Sequence, residues 1–178
     1  MKERVRNHRE LIVYQKSFAA GKRVFELSKA FPREEMYSLT DQVRRASRSV
    51  SANIAEAWRK RRYEKHFCST LNIAEAEAAE TQVWLDYAAA HGYLDEATAA
   101  KANEYYEEIL RMIVKMIHGS SNWCDLKSKG ESGSRGAGEQ GSDYRTDDEY
   151  VVVDQHKLLS PSPDLPDSPS KSEGDGSA

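Results

Sequence analysis

Residues 67–88 read FCSTLNIAEAEAAETQVWLDYA. Within them Phe67, Leu71, Ala74, Ala78, Thr81, Leu85 and Ala88 recur at alternating steps of four and three. On a helix those steps stack on one face, the seam of a bundle helix, and they predict a helix over about 63–91. Gly92 stands where a C-terminal cap belongs.

The same steps recur to either side. Val43, Ala46, Val50, Ile54 and Ala57 predict a helix over about 39–59. Ala99, Ala102, Tyr106, Ile109, Ile113 and Met116 predict one over 96–118, with Asp95 as N-cap and Gly119 as its end. Toward the N-terminus, Leu11, Tyr14, Phe18, Phe25 and Leu27 give an apolar face over about 9–30, with Gly21 a weak point. Phe31-Pro32 ends that helix, because a residue before proline is pushed out of helical geometry. Nothing between the helices reads as strand, and no proline falls between Arg33 and Ser160. Short connections make sequential helices antiparallel neighbours. The expected fold is all-α: an up-down-up-down four-helix bundle over 9–124 after a flexible N-terminus, 1–8. A bundle of this size buries roughly two-thirds of its unfolded surface.

After Cys124 the periodicity stops, and Gly, Ser, Asp, Glu and Pro dominate to the end. Such a stretch cannot bury enough apolar area to offset its chain entropy, so 125–178 is expected to be a disordered tail. Charge marks the same boundary. Residues 1–124 hold 20 Lys and Arg against 17 Asp and Glu, whereas 125–178 hold 6 against 12. An island in the tail, Tyr150-Val151-Val152-Val153 with Leu158-Leu159 beyond, is open to three readings: a short strand, a docking motif or chance clustering. The N-terminus, MKERVRNHRE, lacks the apolar core of a secretory signal, and no apolar run is long enough for a bilayer. With Cys68 and Cys124 the only cysteines, a cytoplasmic location is expected.

Helix 2 divides further. Beside its apolar face, Gln42, Arg45, Ser49, Asn53 and Glu56 stack on a second one. Asn and Ser are poor choices for an exposed helix interior, which favours a hydrogen-bonded seam against another helix or subunit over a merely solvated face. Farther round lie Arg44, Arg48 and Arg59, with Ser51, Ala52 and Ala55 between them. That stripe reads either as a wet surface or as one a phosphate backbone or second helix approaches closely. Arg59, Lys60, Arg61, Arg62 and Lys65 then crowd the corner into helix 3, making eight basic residues against two acidic ones from Arg44 to Lys65. The corner suits nucleic-acid phosphates or an acidic partner; the plain alternative is a solubilising surface.

These residues carry a resemblance. Phe31 to Glu35 (FPREE), Gln42 to Ser49 (QVRRASRS) and Asn53 to Ala57 (NIAEA), followed by HFCSTLNIAEAEAAET, resemble the four-helix-bundle family of 23S rRNA intervening-sequence proteins. That family is similar to the accessory variability determinant of diversity-generating retroelements. The resemblance spans 7–124. The chain departs from the pattern at Ala57, where the family usually has Gly, and at Glu75-Ala76, where a Gly-Ser pair is common. The resemblance implies a homo-oligomer, a pentameric barrel, whose basic surfaces contact RNA or DNA or a nucleic-acid enzyme; among the retroelement relatives that enzyme is a reverse transcriptase.

Catalysis finds little purchase. Di-iron bundles use Glu-x-x-His pairs, but Tyr63, Ala88 and Lys115 stand three residues before His66, His91 and His118. Cys68 and His66, two apart on a helix, point away from each other, and no Gly-rich phosphate loop is present. The expectation is a non-enzymatic oligomeric binding module with no metal, cofactor, membrane or small-molecule partner. Its expected nucleic-acid contacts are Arg44, Arg48, Arg59, Lys60, Arg61, Arg62 and Lys65, and its polar seam is Gln42, Arg45, Ser49, Asn53 and Glu56. The alternative is a protein-only scaffold whose basic corner binds an acidic partner or the chain's own acidic tail.

Overall fold

The computed structural model describes residues 5–124. There are four helices, α1 (Ile12–Leu27), α2 (Leu39–Lys60), α3 (Glu64–Ala90) and α4 (Glu96–His118), with one 3-10 turn before α1, two between α1 and α2, and one after α4. No strand occurs among the described residues. Helices adjacent in sequence pack side by side, and α1 also meets α4, closing the expected up-down-up-down bundle. Expectations for 1–4 and 125–178, the Tyr150-Val153 island included, lie outside the described residues.

The chain reversals follow local chemistry. Between α1 and α2, Glu35 accepts from the Ser38 hydroxyl, from the Leu39 amide at 3.3 Å and from the Tyr93 hydroxyl at 3.3 Å. These donors, Ser38 foremost, hold its carboxyl below the usual carboxylate range. Between α2 and α3 the turn is tight, and the Tyr63 amide donates to the Lys60 carbonyl at 2.9 Å. Between α3 and α4, Gly92 adopts φ 72°, a left-handed conformation that glycine enters without a Cβ penalty. The amides of Tyr93 and Leu94 then close on the Ala88 carbonyl. Asp95 caps α4 by accepting from the Thr98 amide at 2.8 Å.

The seams of α2, α3 and α4 fill the core. Val43, Val50, Ile54, Phe67, Leu71, Leu85, Ile109 and Ile113 are fully buried, each worth about 1.5–3 kcal/mol as an apolar side chain removed from water, and Tyr106 is buried beside them. Helix α1 departs from expectation. Its buried face is Val13, Ser17, Ala20, Gly21, Val24 and Leu27. Tyr14 and Phe25 are only half-buried, and Phe18 is 52% exposed. The reason is close approach. A Cβ on Gly21 would lie 3.3 Å from the Ser47 carbonyl oxygen, so small residues form the contact with α2 and the aromatic rings are displaced to its rim.

Candidate nucleic-acid interface

Helix α2 presents two polar flanks, one toward α1 and one toward α3. On the α1 side, Arg44 donates through Nε to the Ser28 hydroxyl at 2.7 Å. Its guanidinium lies 4.9 Å from the Phe25 ring centroid, with that of Arg48 at 5.4 Å and the Lys29 ammonium at 5.0 Å. One aromatic ring thus gathers three cations through its electron-rich face. Farther along, Phe18 stacks on Tyr14 at 6.1 Å, and His8 meets Tyr14 edge-on at 4.8 Å. Burial, then Arg9 and Arg59, lower the His8 pKa.

At the corner the five basic residues divide. Lys60 pairs with Glu56 at 2.6 Å and donates to the Thr70 hydroxyl at 3.3 Å. Arg61 lies 4.1 Å from the Trp58 ring centroid and donates to the Trp58 carbonyl at 2.7 Å. Lys60 thus helps to join α2 to α3, and Arg61 folds back on the end of α2. Arg59, Arg62 and Lys65 are exposed, as are Tyr63 and His66, which meet edge-on. Cations here also suit the negative end of the α2 dipole, a purely structural use for part of the charge.

On the α3 side, Gln42, Ser49 and Asn53 are half-buried, and Arg45 and Glu56 exposed. Their bonds are local: Asn53 donates to the Ser49 carbonyl at 2.9 Å, and Arg45 approaches Asp41 at 3.9 Å. The stripe is thus not sealed inside the bundle. Beside it on α3, burial and Glu80 raise the pKa of Glu77 while Arg45 opposes them. The outer face of α3 also exposes Ile73, Val83 and Tyr87, each about half accessible. Exposed apolar side chains aligned on one helix suit a partner helix better than water.

Charge is segregated between the two halves of the bundle. Residues 5–65 hold 15 Lys and Arg against 7 Asp and Glu, and residues 66–124 hold 3 against 9. Among the described residues, no three of His, Cys, Asp or Glu form a metal-holding group, and no helix is long and apolar enough to cross a membrane.

Sequence reasoning placed Arg44, Arg48 and Arg59 on one stripe, and the structure sets them along the α1 side of α2. It missed the aromatic and basic residues of α1 that complete this side: Tyr14, Phe18, Phe25 and Lys29. The available signal was the spacing of Tyr14, Phe18 and Phe25 at four and seven, beside a helix face of Ser17, Ala20 and Gly21.

Fold and surface together define a small four-helix-bundle protein with one basic half and one acidic half. The chain belongs to the 23S rRNA-intervening sequence protein family, whose pattern matches residues 9–115. It is similar to a solved protein of unknown function from the S23 ribosomal protein family of Bacteroides thetaiotaomicron VPI-5482. The two are 29% identical, with a TM-score of 0.55 over 60% of this chain and 98% of that one. No curated protein matches.

Proposed function

We propose that the bundle is a non-enzymatic, oligomeric binding module whose basic surface on α2 and the α2–α3 corner contacts RNA or DNA, or an enzyme that works on them. The observation that carries this reading is the charge segregation: basic residues outnumber acidic ones 15 to 7 over residues 5–65. Such a field attracts polyanions and makes their binding salt-dependent. The family's name refers to 23S rRNA and the solved relative's to a ribosomal protein family, and both accord with an RNA-proximal role. The resemblance to the retroelement accessory determinant adds a reverse transcriptase as the enzyme and a pentamer as the assembly. The half-exposed α2 stripe and the apolar outer face of α3 support self-association. A cytoplasmic location fits this role.

The test is a salt titration of RNA binding by the intact chain and by a triple variant, Arg59→Gln, Arg62→Gln, Lys65→Gln. Arg61 is left in place because it packs on Trp58. The variant should bind more weakly, and with a single-stranded RNA its log–log salt slope should fall by roughly 0.7 for each phosphate it no longer neutralises. An unchanged slope removes the corner from the contact surface.

The opposite charge of residues 125–178, 6 basic against 12 acidic, favours a second reading, in which the tail lies on the basic corner and masks it. Truncation after Cys124 should then strengthen RNA binding at moderate salt. Unchanged affinity dismisses masking.

A further inference from the structure

We infer that the groove between α1 and α2 is a track for single-stranded nucleic acid, with bases stacking on Phe18 and Tyr14 and phosphates held by cations at either end. The inference rests on the nucleic-acid reading above and narrows it to unpaired strands. It begins from the antiparallel register of the two helices. Gly21 abuts Ser47, the Ser28 hydroxyl accepts from Arg44, and the His8–Glu10 turn packs on α2. That register sets Phe18 and Tyr14 across from Ser51, Ala52 and Ala55, where α2 carries no long side chain. The rings therefore stand beside a low floor.

The two ends of the floor are basic. At one end Phe25 gathers Lys29, Arg44 and Arg48. At the other stands exposed Arg59, with Arg9 and His8 nearby. From Tyr14 to Phe25 the helix rises about 16 Å, enough for a few nucleotides. The acidic side chains of α1 and its leading turn are locally engaged: Glu26 pairs with Lys29 at 2.7 Å, which leaves Arg44 and Arg48 as the phosphate-holding cations at that end, and Glu10 accepts from the Arg6 amide and the Asn7 side chain.

The exposure of Phe18 is what selects an unpaired strand. A solvent-facing ring more than half accessible adds little to the bundle, and its stacking partner Tyr14 holds it in place. Duplex bases are stacked on each other and offer no free face, whereas unpaired bases stack on aromatic rings regardless of sequence. Cations alone would serve a duplex equally well. Their interleaving with rings is the pattern of a single-strand binder.

The experiment measures fluorescence anisotropy of a labelled 20-nucleotide oligo(U), and of a blunt 20-base-pair RNA duplex, with the full chain. Proteins are the wild type, Phe18→Leu, Phe18→Trp and Arg48→Gln. The wild type should prefer the single strand. Phe18→Leu should weaken single-strand binding on the order of tenfold with an unchanged salt slope. Phe18→Trp should retain affinity, and oligo(U) should quench its added indole fluorescence as stacking requires. Arg48→Gln should lower the salt slope by about one. Duplex affinity should not respond to Phe18. If Phe18→Leu leaves single-strand affinity unchanged while the corner variant still binds RNA more weakly, the stacking track is wrong and the broader reading stands. If neither strand form binds the wild type, both fall. A change in solution mass for Phe18→Leu would instead assign the ring to a subunit contact and overturn the track.

Discussion

The two flanks of α2 use similar side chains in different settings. Toward α1, arginines lie over an aromatic ring beside small residues and exposed rings. Toward α3, polar side chains bond along their own helix, beside carboxylates and an apolar outer face. The first flank is basic and aromatic, which suits a polyanion with stackable bases. The second is polar, nearly charge-balanced and bordered by Ile73, Val83 and Tyr87, which suits a second protein surface. One helix can thus serve nucleic acid on one side and self-association on the other. The core face between them, Val43, Val50 and Ile54, fixes how far apart the flanks stand.

The largest effect should come from that shared core. Ile54→Ala empties a fully buried site and should cost about 2–5 kcal/mol, measured by urea unfolding, weakening both flanks together. Next is Gly21→Val, which sets a branched side chain against the Ser47 carbonyl oxygen. Overpacking there should cost about 1–3 kcal/mol and should disturb RNA binding more than solution mass, because only the α1 side is forced open. Equal loss of both properties would mean that the flanks are not separable. A converse pair, Ile73→Glu with Tyr87→Glu, should leave stability within roughly 0.5 kcal/mol while lowering the mass measured in solution. An unchanged mass would show that the α3 face is not a subunit contact.

The fold was legible because three helices bury long apolar side chains at regular steps. Phe67, Leu71 and Leu85, or Ile109 and Ile113, are large, apolar and correctly phased, so residue type and position agree. Helix α1 broke that agreement. Tyr14, Phe18 and Phe25 look like core by type, yet the close approach at Gly21 puts Ser17 and Ala20 inside and the rings on the rim. Periodicity cannot show how near a neighbouring helix comes. The site was half legible for a related reason. The arginine stripe follows from spacing, as do the local contacts of Lys60 with Glu56 and Arg61 with Trp58, but the bond from Lys60 to Thr70 on α3 depends on how the two helices pack. The same holds for the rings that α1 adds.

The smallest effect concerns the α1–α2 connection, which orients both flanks. Donors from Ser38, Leu39 and Tyr93 depress the Glu35 pKa. A depressed carboxyl contributes stability that is present above its unfolded pKa and lost as pH falls through the lower folded value. Thermal melts of the wild type and Glu35→Gln should therefore differ modestly at neutral pH and converge in acid, below the ordinary carboxylate range. A difference that persists in acid would mean that the charge of Glu35 is not what the connection uses.

Whether this bundle works as an assembled nucleic-acid binder can be read from light scattering of the full 20.1 kDa chain with and without RNA. The expected mass is several times that of one chain and rises further when RNA is added. A monomer whose mass does not change with RNA would contradict both the assembly and the function proposed for it.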